Sequence, residues 1–92
     1  MIKSELIKQV SKEAGLSQTT AKEVTEAILK SIEGALAKGE KVSLQGFGTF
    51  YTKEIAAIDR PNPLQGGEMV HIPARNRVFF RPSEKIKESV NQ

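Results

Sequence analysis

Apolar positions at Ile2, Leu6, Ile7, Val10 and Ala14 recur every three or four residues, the spacing of a helix with one buried face. Gly15 ends the pattern as a helix C-terminal glycine would. Ser17 then suits an N-cap, with Leu16 and Ala21 placed as a weak hydrophobic staple. A second, longer pattern runs through Ala21, Val24, Ile28, Leu29, Ile32, Ala35 and Leu36 and closes on Lys38 and Gly39. A two-residue link between the patterns predicts an αα-hairpin with its apolar faces turned together. The stripe over 21–36 is wider than one short partner helix can cover, which predicts a second copy of the chain against it.

From Lys41 the period changes to two. Val42 and Leu44 alternate with polar neighbours, and Gly46-Phe47-Gly48 marks a tight turn. In the next strand Phe50 and Thr52 fall on one face, with Tyr51, Lys53 and Ile55 on the other. The segment 59–67 is rich in residues that break or reverse strands. Strand patterns resume at 69–73 and 77–81, and Pro73 confines its strand to an edge or a bulge. Ser83, Ile86 and Val90 fit a short last helix with Ser83 as N-cap and Pro82 just before it. Two long strands joined by a Pro/Gly tip, with no sequence left to cover them, make an exposed ribbon.

Composition narrows the function classes. In 92 residues, 38% hydrophobic and 27% charged side chains exclude wholesale disorder. An aromatic share of 5% leaves little apolar area to stabilise a lone small domain. Without cysteine there is no disulfide framework and no thiolate metal site. No apolar run approaches the ~20 residues of a membrane span. The N-terminus carries an acid early, unlike a secretory signal, so the expected setting is cytoplasmic. His71, the one histidine, lies in a strand pattern with no clustered ligands or base partner. Residues 34–39 superficially begin a phosphate loop, but Glu40 stands where its lysine belongs. The expectation is a protein without catalysis, cofactor, metal or small-molecule substrate.

Fourteen Lys/Arg against eleven Asp/Glu leave a net charge of +3, and their distribution says more than the sum. Arg75, Arg77 and Arg81 lie in a stretch, 69–83, without a single acid. If Phe80 faces the core, Val78 does too, and Arg75, Arg77, Phe79 and Arg81 share the opposite face, where Lys53 joins them. A row of cations on a ribbon suits phosphate binding, although edge strands also carry charge to stay soluble. At the tip, Asn62 can hydrogen-bond to minor-groove acceptors and Pro63 can wedge between base pairs. The plain alternative for Pro63 is a turn former.

Lys38-Gly39-Glu40-Lys41-Val42, Gly46-Phe47-Gly48-Thr49-Phe50, Asn62-Pro63, Ile72-Pro73-Ala74 and Phe80-Arg81-Pro82 resemble the bacterial histone-like HU and integration host factor family along the full length. The resemblance implies an α+β fold: a helical hairpin base, a three-stranded antiparallel sheet extended into a β-ribbon arm, and a short C-terminal helix, in an intertwined dimer. It implies a single domain over 1–92, with a helical dimerisation base at 1–40, a sheet at 41–81 whose arm covers about 54–74, and a terminal helix at 82–92. Phe47, Phe50 and Phe80 would form the aromatic core. Pro63 would intercalate from the arm tip beside Asn62, and Arg81, Lys85 and Lys87 would meet phosphates, with Lys3 a weaker candidate.

The departures from the family pattern are specific. Ile55 and Ile58 stand where ascending-arm cations are usual, Arg60-Pro61 replaces the usual Gly-Arg, and Ser83-Glu84 replaces Gly-Lys. Arg75 and Arg77 look like additions, as if cation density had moved to the descending strand. The DNA-binding set expected is therefore Lys3, Lys53, Arg60, Asn62, Pro63, Arg75, Arg77, Arg81, Lys85 and Lys87. The expected function is that of a nucleoid-associated homodimer, or a heterodimer with a paralogue, that bends double-stranded DNA through the minor groove with low sequence specificity. Two alternatives stay open: a sequence-preferring bender like integration host factor, and a dimeric protein-interaction module using Ile55, Ile58 and Leu64. RNA binding is disfavoured because no stacking platform is evident, Tyr51 and Phe79 being the only spare aromatics.

Overall fold

The computed structural model describes every residue except Pro63 and Gln65, with Asn62 described for its backbone alone. Helix α1 spans Lys3–Ala14 and α2 spans Gln18–Ala37. Gly15 takes the left-handed conformation (φ 66°) and donates its N–H to the Ser11 carbonyl, which closes α1 as its position in the sequence predicts. Ser17 caps α2 by accepting from the Thr20 N–H at 3.1 Å. The link between the helices is three residues long, one more than expected, because Ser17 stands outside α2 as its cap. The small side chains Ala21 and Thr25 are buried where α2 is most enclosed.

Strands β1 (Val42–Leu44), β2 (Gly48–Ile55) and β5 (Arg75–Pro82) form an antiparallel sheet in the order β1-β2-β5. Strands β3 (Ile58–Asn62) and β4 (Glu68–Ile72) pair separately as a two-stranded ribbon. The base sheet ends at the pair Ile55↔Arg75 and the ribbon begins at Ile58↔Ile72. Between them Ala56-Ala57 and Pro73-Ala74 are unpaired, so Pro73 falls at a joint, where its missing N–H costs no ladder bond. Residues 59–62 depart from the strand-breaking reading: Arg60, Pro61 and the Asn62 backbone pair with Val70, Met69 and Glu68. A two-stranded ribbon leaves half its N–H groups facing outward, and a proline is tolerated there.

Gly46 (φ 81°) makes the turn between β1 and β2, and the Phe47 N–H donates to the Leu44 carbonyl. The Ser83 N–H donates to the Phe47 carbonyl at 2.9 Å, tying the start of helix α3 (Glu84–Val90) to that turn. Ser83 caps α3 by accepting from the Ile86 N–H at 3.2 Å. The Phe47, Phe50 and Phe80 rings cluster beneath the sheet, with Phe50 and Phe80 centroids 4.7 Å apart.

A single chain encloses almost none of this apolar surface. Ala21 is the one buried hydrophobic residue among those described, while Ile28, Leu29, Phe47, Val78 and Phe80 are all exposed. The radius of gyration is 18.9 Å, against about 12 Å for a compact domain of this length.

Candidate nucleic-acid interface

The face of the sheet opposite the phenylalanine cluster is built from every second residue of three strands. Ser43 pairs with Thr49, Tyr51 with Phe79, Lys53 with Arg77, and Thr49 with Arg81. Alternation puts all of these side chains on one surface. The single acid within the three strands, Glu54, alternates to the other face with its partner Asn76.

Tyr51 and Phe79 lie side by side, their ring planes 17° apart and centroids 5.6 Å apart. The cations are laid over these rings. Lys53 Nζ stands 6.0 Å from the Tyr51 centroid and 5.9 Å from that of Phe79. The Arg77 guanidinium is 5.5 Å from Phe79 and that of Arg81 is 5.9 Å from Tyr51. Ring contacts of this kind hold a long cationic side chain in place without neutralising it, so the charge stays available to an incoming anion.

Of the residues singled out in the sequence, Lys53, Arg77 and Arg81 come together here. Arg75 follows in the same alternation at the outer end of β5, opposite Ile55. Arg60 stands out on the ribbon, opposite Val70. Lys85 runs along the β1–β2 turn, its Cδ 3.9 Å from where a Cβ on Gly46 would lie. Lys3 and Lys87 are each engaged by an acid on the surface, Glu26 at 3.3 Å and Glu84 at 3.4 Å. The Asn62 side chain and Pro63, the expected wedge, lie outside the described residues.

Sequence reasoning missed Lys41. It lines a hollow of about 390 Å³ with Ser43, Thr49, Tyr51, Lys53 and Arg81. The signal was present, since Lys41 precedes Ser43 by two residues and so shares its face. His71 is exposed, its Nδ1 2.9 Å from Asp59 Oδ1 across the ribbon. Among the described residues no cluster of three or more His, Cys, Asp or Glu side chains could hold a metal ion.

The family model described as "Bacterial DNA-binding protein" matches residues 1–91. The chain belongs to that family. DNA-binding protein HU-1 of Halalkalibacterium halodurans is 42% identical over 91 residues, covering 99% of this chain and all of that one. DNA-binding protein HU of Geobacillus stearothermophilus is 43% identical over 90 residues, 98% of this chain and 99% of its own. The HU chain of an Anabaena HU–DNA cocrystal structure superposes with a TM-score of 0.90 at 34% identity, covering 98% of this chain and 97% of that one. Membership accounts for the element order, the glycine–phenylalanine turn and the ribbon.

Proposed function

We propose that this protein is a histone-like architectural protein that binds double-stranded DNA and works without catalysis or cofactor. The observation that carries this reading is the acid-free row Lys41, Lys53, Arg77 and Arg81 on one face of the sheet from which the ribbon extends, in a chain of the HU-type family. Phosphates laid across that face would release their counterions. Contacts to phosphate carry no direct sequence information, in keeping with low sequence preference.

The finer mechanism extends that reading. The ribbon reaches along the minor groove, with Arg60 and Arg75 at its flanks. Asn62 and Pro63 act at the tip, where the proline unstacks a base step and bends the duplex. Lys85 and Lys87 meet phosphates beside the sheet, and Lys3 does so from the helical base. Two copies carry the two arms. The exposed Ile28, Leu29, Phe47, Val78 and Phe80 support this, because they are large apolar side chains left in solvent by a single chain that a second copy would cover. No described helix is long and apolar enough to cross a membrane, and nucleoid association follows from the DNA reading.

The test is a salt-titrated binding assay on a duplex of about 30 base pairs, labelled at both ends for energy transfer. Affinity falling steeply with salt while the ends approach each other supports binding with bending. Binding without end approach removes the proline wedge. Absence of binding at low salt transfers support to a protein-interaction role, which the exposed Ile58, Leu64 and Met69 of the arm favour as a second reading.

A further inference from the structure

We propose that His71 is a charge-masking residue of the arm: its protonation cancels the Asp59 carboxylate across the ribbon, so that the arm holds duplex DNA more tightly at mildly acid pH. This inference rests on the DNA-binding reading and adds to it a pH dependence seated in one pair of side chains.

Three observations carry it. The first is the charge of the arm. Between Ile58 and Ile72 the cation Arg60 stands against the two acids Asp59 and Glu68, a balance of −1 while His71 is neutral and of zero once it is protonated. An arm lying among phosphates is repelled by its own net charge in the first state and not in the second. The second is geometry. The register pairs Asp59 with His71, and the imidazole Nδ1 lies 2.9 Å from Asp59 Oδ1. An ionised carboxylate only accepts hydrogen bonds, so Nδ1 carries the hydrogen and donates it. The neutral ring is then left with Nε2 as a bare acceptor, the wrong polarity for a phosphate oxygen or a minor-groove edge that also accepts. Protonation turns Nε2 into a donor. The third is exposure. The His71 and Asp59 side chains are 67% and 63% exposed, so their pairing contributes little to stability and stays open to DNA.

From β3, the strand paired with it, Asp59 is the charged group that faces His71. Alternation puts the uncharged Pro61 and Met69 on the same face, and Arg60 and Glu68, of opposite sign, on the other. Beyond the joint at Pro73-Ala74 the next charged residue of the descending strand is Arg75. Histidine is the side chain that changes charge between about pH 5 and 8, and His71 is the only one in the chain. Its protonation adds a positive charge beside phosphates, so affinity rises as pH falls and is lost as pH rises. Sequence reasoning found no partner for His71 because Asp59 lies twelve residues away, and the β3–β4 pairing alone unites them.

The full-length protein should bind the end-labelled duplex about three- to tenfold more tightly at about pH 5.5 than at about pH 7.5, the gain from roughly one more phosphate contact. His71→Asn keeps a donor where Nδ1 stands but cannot take up a charge. It should match wild type at the higher pH and lose the gain at the lower. Asp59→Asn should bind more tightly than wild type at the higher pH, because the charge that needs masking is gone. Protonation and DNA binding are reciprocal, so the single histidine's Hε1 resonance should titrate with a midpoint at higher pH on the duplex than in the free protein. That measurement uses wild type alone and decides even if a variant misfolds. Equal affinity at the two pH values, a gain that persists in His71→Asn, or a midpoint that DNA leaves unmoved would overturn the proposal. Failure of the wild type to bind duplex at either pH in low salt overturns the underlying DNA-binding reading instead, a result distinct from binding without pH dependence.

Discussion

The ring of Phe80 occupies the space that a side chain on Gly48 would need. A Cβ at Gly48 would lie 2.6 Å from Phe80 Cε1 and Cζ and 2.6 Å from the Arg81 carbonyl oxygen. Gly48 begins β2 opposite Pro82 without a positive φ, so close approach, and not backbone conformation, demands glycine here. Gly48→Ala should cost about 1–3 kcal/mol, the usual penalty of overpacking, and more if the Arg81 backbone cannot yield. Denaturant unfolding of the two proteins measures it. An alanine variant as stable as wild type would show that Phe80 moves aside at little cost.

Salt dependence can count the cations that reach phosphate. Each phosphate neutralised on duplex DNA adds about 0.9 to the slope of log affinity against log salt. Arg75→Ala/Arg77→Ala should therefore flatten the slope by about two phosphate equivalents. An unchanged slope would sink the idea that the descending strand carries the charge that Ile55 and Ile58 leave out of the ascending one.

Lys41 supplies an independent check on the sheet face. Its substitution by methionine keeps the aliphatic stem and removes one charge, so the slope should fall by about one phosphate equivalent, with folding stability nearly unchanged. Intact salt dependence in Lys41→Met would place the DNA path away from the hollow that Lys41 lines.

Ser83 serves two contacts at once. Its N–H donates to Phe47 and its Oγ accepts from Ile86. Ser83→Ala keeps the first and loses the cap, at a cost of about 1 kcal/mol. Because α3 is short, the loss should be read as fraying of that helix by amide exchange and as weaker phosphate contact from Lys85 and Lys87. Undisturbed exchange in α3 would mean that the Phe47 tether alone holds it.

Ile28 tests the second copy. It is 55% exposed in the single chain and lines an apolar hollow with Ile32, Val42 and Leu44. Ile28→Glu would bury a charge in the proposed dimer interface, so it should abolish the dimer in sedimentation and lower the melting temperature steeply. A dimer of undiminished stability would place the interface on another face.

Much of this fold was legible in one dimension because its signals are local. Helix period, the left-handed residue at Gly15, the caps at Ser17 and Ser83 and the turn at Gly46 each depend on neighbours a few residues away. The alternation that puts Arg77, Phe79 and Arg81 on one side of β5 is equally local, and so was the face they share. Strand pairing over 59–62 was less legible. The propensities of Asp59, Pro61 and Asn62 oppose a strand, and pairing with β4 overrides them.

Local sequence thus set where the elements start and stop, which side of each is apolar, and the family to which the motifs belong. The tertiary structure alone decided which distant residues meet. The β2–β5 register joins Tyr51 to Phe79, sets Lys53 against Arg77 and brings Lys41 to the same hollow, while the break at Ala56-Ala57 and Pro73-Ala74 separates ribbon from sheet. Range separates the two: a cap or a period is settled within a turn of helix or a few strand residues, whereas register is settled by side chains packing between segments that the sequence keeps far apart.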